Sequence, residues 1–76
     1  MALFVFHLVL DRALTVDDAE RVADALGEGI VPSRTPSGEP SLLCTIEGEE
    51  AESTHTDTRD RVSSLGFVVL RSEAAA

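Results

Sequence analysis

Nine residues near the start of the chain, Ala2–Leu10 (ALFVFHLVL), are apolar at every position but His7. Successive side chains of a strand point to opposite faces. Phe4, Phe6, Leu8 and Leu10 therefore share one face, and Leu3, Val5, His7 and Val9 share the other. A run that is apolar on both sides marks a central strand. The bulky Phe4 and Phe6 are expected to face helices, which leaves Leu3, Val5, His7 and Val9 as a second face in need of cover. The run is too short to cross a bilayer, which takes about 20 apolar residues, and Asp11-Arg12 closes it. No basic stretch precedes it and no small-residue cleavage pattern follows, so the reading is a cytoplasmic protein without a secretory leader.

The periodicity then changes. Over Val16–Leu26, the residues Ala19, Val22, Ala23 and Leu26 recur at i, i+3, i+4 and i+7, which predicts an amphipathic helix. Thr15 is placed to cap it, and Asp18, three residues on, completes a capping-box pattern. Asp17, Asp18 and Glu20 lie in the first turn, where the helix dipole favours negative charge. Gly27 supplies a stop. Gly29–Arg34 is short and extended, and its Pro32 cannot donate to a ladder, which assigns it to a sheet edge. Thr35–Pro40 (TPSGEP) reads as a turn that returns the chain as Ser41–Ile46, where Leu42, Cys44 and Ile46 alternate with Leu43 and Thr45.

Glu47-Gly48 breaks that strand. Glu49–Leu65 reads as a second helix with Ala51, His55, Thr58, Val62 and Leu65 inward, or as a shorter one capped at Thr54 with Asp57 three residues on. Gly66 ends it, Phe67–Arg71 is a last strand, and the small residues that follow read as a loose end. Residues 1–72 then form a single α+β domain and 73–76 a flexible tail. The order strand, helix, strand, strand, helix, strand is the ferredoxin-like split βαβ sandwich (βαββαβ): a four-stranded antiparallel sheet with two helices on one face. Strands one and three are central there, and strand two is an edge, in agreement with Pro32.

Size and charge narrow the function. A chain of 76 residues buries only about 60% of its unfolded surface, and small domains commonly add disulfides, metal or self-association. Cys44 is the single cysteine, so it forms no internal disulfide and is expected to fill a small core site. No CxxC or HxxxH spacing offers a structural metal site. Self-association remains, and a homodimer is expected. The net charge is −8, lysine is absent, and the six arginines are scattered. Direct binding to nucleic acid or to an anionic membrane needs clustered cations, so neither is expected. The acidic residues Glu47, Glu49, Glu50 and Glu52, with Asp17, Asp18, Glu20 and Asp24, leave open an acidic nucleic-acid mimic. The plainer reading is a solvated surface.

Activities carried by this arrangement must be tested by their own residues. RNA-recognition domains display aromatics on the sheet, and outside the first strand Phe67 is the only aromatic. Metal chaperones place paired cysteines in the first loop, which here reads Asp11-Arg12-Ala13-Leu14-Thr15. Acylphosphatases hold phosphate with a glycine-containing loop and an arginine after strand one, and use an asparagine. Arg12 is present, but the chain has no asparagine. Amino-acid-sensing ACT domains match in length and order yet usually carry a glycine-bearing turn before the first helix, which is absent here. A small-ligand regulatory domain of that type is the alternative reading.

The apolar first strand, the L-D-R-x-L-T entry at Leu10–Thr15 and the G-F-V-V-L-R ending at Gly66–Arg71 resemble a group of small actinobacterial and actinophage proteins. The resemblance implies the same βαββαβ arrangement and no established chemistry, so it lends no functional residues. Lysine-free, alanine- and valine-rich usage fits a high-GC source of that kind. His7 and His55 are the only histidines, and strand parity sends them to opposite sides of the sheet, so they cannot share a site within one chain. No catalytic, cofactor-binding or metal-ligating set emerges. The expected interaction surface is Leu3, Val5, His7 and Val9, with His7 at an interface that loosens when it is protonated. The expected function is a non-enzymatic protein-interaction module that self-associates, of which a phage-encoded modulator of a host protein would be one case. Its partner protein is not named by the sequence.

Overall fold

The computed structural model describes residues 1–27 and 29–75. The elements run β1 (Ala2–Leu10), α1 (Val16–Leu26), β2 (Ile30–Arg34), β3 (Pro40–Gly48), α2 (Ala51–Ser64) and β4 (Val69–Ala74). The strands form one antiparallel sheet in the order β2-β3-β1-β4, an α+β ferredoxin-like arrangement. β1 is central, as its doubly apolar sequence requires, and Pro32 lies on the edge strand β2. Phe6, Leu8 and Leu10 of β1 and Leu42 and Cys44 of β3 form the sheet side of the core. Val22 of α1 and Val62 of α2 close over them. Both helices thus cover the same face.

α1 keeps the boundaries its periodicity predicts. Thr15 Oγ1 accepts a hydrogen bond from the Asp18 N–H, and the Asp18 carboxylate accepts one from the Thr15 N–H, each at 3.1 Å. The two bonds complete the capping box. Asp18 also receives Arg12 Nη1 at 2.6 Å and lies 3.6 Å from Arg21. Both guanidiniums stand over the Phe67 ring, at 5.4 and 5.5 Å from its centroid, and Arg21 donates to the Leu65 carbonyl. The N-terminus of α1 is in this way tied to the segment entering β4.

The Arg12 hydrogen bond and then the Thr15 N–H hold the Asp18 carboxyl down at about 2, well below the ordinary aspartate value. A carboxyl with a lowered folded-state pKa adds stability that is fully present above its unfolded value of about 4. That contribution is lost as pH falls through the folded value. Urea midpoints should therefore drop between about pH 4 and pH 2 more steeply for the wild type than for Asp18→Asn, and parallel curves would refute the assignment.

α2 differs from its predicted inner face. It starts at Ala51 behind an N-cap Glu50 that makes no side-chain cap bond, so neither Glu49 nor a Thr54 cap opens it. Its buried residues are Thr54, Thr58 and Val62, while Ala51 is exposed and His55 is half-buried. The helix turns Thr54 inward because Gly48 leaves room for it. Thr58 Oγ1 is satisfied by donating to the Thr54 carbonyl at 2.8 Å, which lets a hydroxyl sit in the core.

β4 is displaced towards the C-terminus relative to the expected Phe67–Arg71. Phe67 and Val68 lead into it, and Ser72, Glu73 and Ala74 pair with Leu8, His7 and Phe6. The Ala75 N–H donates to the Val5 carbonyl at 3.2 Å. Residues 73 and 74, expected in a flexible tail, are thus strand, and Ala75 is tied to β1 by its N–H; Ala76 lies outside the described residues. The length of β1 is the cause, since nine residues of central strand offer a ladder that the last segment continues to fill.

Candidate functional site

The strand register lays out the second face of the sheet as rows. Ser33, Ser41, Val9 and Arg71 form one row, and Val31, Leu43, His7 and Glu73 the next. Thr45 stands beside Val5, and Glu47 beside Leu3. Of the four residues expected to form an interaction surface, Leu3 and Val5 are 61% and 41% exposed, but His7 and Val9 retain only 8% and 0%. Half of the expected patch is therefore covered by the chain itself.

Two local features supply that cover. His7 Nδ1 and Ser41 Oγ share a buried hydrogen bond of 2.8 Å. Arg71 of β4 forms an ion pair with Glu39, which stands just before β3. Because β1 lies between β3 and β4, this pair bridges over β1 beside Val9. The hairpin tip holds Glu39 in place: the Thr35 N–H donates to the Glu39 carbonyl, and the Glu39 N–H donates to Thr35 Oγ1. Ser37 Oγ donates to the Glu39 carboxylate at 3.2 Å. Arg71 in turn keeps the Glu39 carboxyl below the usual glutamate range.

His7, expected at an interface, has its ring buried and partnered within the chain. The exposed apolar surface lies instead towards the other end of the sheet. It comprises Leu3 and Val5, with Val31 at 45% exposure on β2 and half-buried Leu43 between the strands. Val31 and Leu43 extend the patch beyond β1. Ser41, Glu39 and Arg71, which set its limit, carry no local sequence signal, because their roles depend on which strands become neighbours.

His55 lies on the helix side, as parity requires. Its ring packs 3.9 Å from the Phe6 ring centroid, tilted by 32°, and Nδ1 shares a 2.8 Å hydrogen bond with Ser72 Oγ. Cys44 is buried in the core, and burial pushes its thiol up to about 12, far from the reactive thiolate. Arg12, the residue on which an acyl-phosphate site would hinge, is engaged by Asp18. A cavity of about 420 Å³ opens between α1, α2 and the end of β3. Leu26, Ile30 and Ile46 line its floor, and Glu47, Asp57 and Arg61 stand at its rim. Among the described residues no three His, Cys, Asp or Glu side chains converge as metal ligands. No described helix is long and apolar enough to cross a membrane.

No family model matches the chain, and neither a curated protein nor a solved structure is significantly similar to it.

Proposed function

We propose that this protein is a non-enzymatic interaction module that acts by protein–protein contact and self-associates. The observation that carries this reading is the open face of the sheet, where Leu3, Val5 and Val31 stand exposed on β1 and β2 with no layer over them among the described residues. Contiguous apolar surface of this kind marks a contact site. A chain of 76 residues also gains from association, since its own core is small. The titratable groups agree with a role in contact. The histidines are each tied into the packing, the cysteine is held as a thiol, and Arg12 is engaged by Asp18.

The test is the absolute mass in solution, measured by light scattering over a dilution series at neutral pH. Twice the mass of one chain at the concentrated end, falling on dilution, is the expected result. One chain's mass throughout would remove self-association from the reading.

A further inference from the structure

We infer that two copies of this chain join through the free edge of β4, in antiparallel register about Ser72, to make one continuous eight-stranded sheet. The inference rests on the self-association proposed above and assigns it to a sheet edge, so that the open face stays exposed in the dimer for contact with a further protein. The sheet has two free edges, β2 and β4. In an antiparallel ladder, backbone groups alternate between the neighbouring strand and the open side. Thr45 donates to the Gly29 carbonyl, so Gly29, Val31 and Ser33 face β3, and Ile30, Pro32 and Arg34 face outward. The middle outward position is thus a proline without a donor, which blocks that edge.

The β4 edge is open by the same reasoning. Ala75 donates to the Val5 carbonyl, so Glu73 and Arg71 also face β1, while Ser72 and Ala74 direct their N–H and C=O groups outward. No proline or lysine guards the stretch Arg71–Ala74; the register shifts between Val9 and Leu10, so a bulge at Leu70 bounds that stretch. Leu70, and Val68 just before the strand, are exposed apolar side chains.

Charge then selects the register. Pairing β4 with itself requires outward positions to face outward positions. Centring the twofold axis on Arg71 sets Arg71 against its own copy, and centring it on Glu73 sets Glu73 against its own copy. Like charges directly opposite are unfavourable. Centring the axis on Ser72 sets Arg71 of each chain against Glu73 of the other, within the regular stretch that ends at the Leu70 bulge. Ser72 meets Ser72 in a hydrogen-bonded pair, so the Arg71 and Glu73 positions fall in the non-hydrogen-bonded pairs, where facing side chains come closest. Arg71 and Glu73 are both accessible for this, with side chains 46% and 41% exposed and 3.5 Å apart within the chain. The twofold axis runs perpendicular to the sheet, so both sets of helices lie on one side. The two apolar faces lie together on the other, which turns two small patches into one platform.

Three variants test the pairing by light scattering, with circular dichroism and melting curves confirming the fold. Ala74→Pro removes an outward donor, as Pro32 does on β2, without taking a bond from the β1 ladder, and should leave the chain monomeric. Glu73→Arg replaces two attractive contacts with two repulsive ones and should weaken association roughly tenfold or more. Arg71→Glu should weaken it too. An equimolar mixture of Glu73→Arg and Arg71→Glu chains should then recover the dimer, because both arginines of the one chain stand opposite glutamates of the other. A purely structural role would not restore association on mixing. As a control, Val5→Glu on the open face should leave the dimer intact. A dimer that survives both Ala74→Pro and Glu73→Arg, or that Val5→Glu dissociates, overturns the edge pairing while keeping self-association. A wild-type chain that is monomeric at every concentration overturns both.

Discussion

Phe6→Ala is expected to bring the protein to the verge of unfolding at room temperature. Phe6 is fully buried at the centre of the sheet's helix side, between β3 and β4, and its ring packs against His55. Truncating a buried phenylalanine costs about 3–5 kcal/mol, the sum of lost transfer energy and of the cavity left behind. Small domains hold roughly 0.05–0.15 kcal/mol per residue in total, so this one change removes a large share. Collapse around the gap is limited, because Leu8, Leu42 and Cys44 beside it are anchored in the two central strands. Phe6→Leu keeps most of the volume and forfeits mainly the ring contact, at about 0.5–1.5 kcal/mol. Urea titration of the two variants should therefore separate them clearly. Equal midpoints would show that the ring is not at the centre of the core.

Much of this arrangement is legible in the sequence alone, for definite reasons. β1 has to be central because both of its faces are apolar, and β2 has to be an edge because Pro32 lacks a donor; the observed strand order agrees with both. α1 is legible to the residue because its stripe, its Thr15–Asp18 box and its Gly27 stop agree with one another. Where local signals disagree, the sequence misleads. The serines and threonines of α2 offer two starts and an inner face through Ala51. The chain instead buries Thr54, a choice made by a glycine on another element. Ser72–Ala74 have no apolar alternation, yet they are strand because β1 extends far enough to pair them.

The second face is legible in kind but not in extent. Parity alone places Leu3, Val5, His7 and Val9 together and away from His55, and the strand register agrees. Which of them stay exposed depends on residues distant in sequence: Ser41, 34 positions from His7, and the pair joining Arg71 to Glu39, 32 positions apart. Strand neighbours are set by topology, so once the strand order is known, the register brings these residues within reach of one another.

Gly48→Ala should destabilise the fold, and the loss should depend on Thr54. At a compatible backbone position, replacing glycine by alanine usually stabilises by about 0.4–1 kcal/mol, because the unfolded chain loses freedom. Gly48 is an exception for steric reasons. A Cβ there would stand 1.9 Å from Thr54 Oγ1, 3.1 Å from its Cβ and 3.3 Å from its Cγ2. Thr54 is buried on α2, so relief requires either a rotamer change in a packed site or a shift of the first turn of the helix. Overpacking of this kind costs about 1–3 kcal/mol, which outweighs the entropic gain. Thr54→Ala removes Oγ1, the severe obstruction, together with Cγ2, and leaves only the tight Cβ contact. In the double variant Gly48→Ala/Thr54→Ala the alanine at 48 should therefore cost markedly less than it does alone, a coupling of about 1 kcal/mol or more between contacting residues. Because each kcal/mol moves the melting point of a domain this size by about 4–8 °C, thermal unfolding resolves the cycle. If the two costs simply add, Thr54 does not press on Gly48, and the inward turn of α2 must have a cause other than the room that Gly48 leaves.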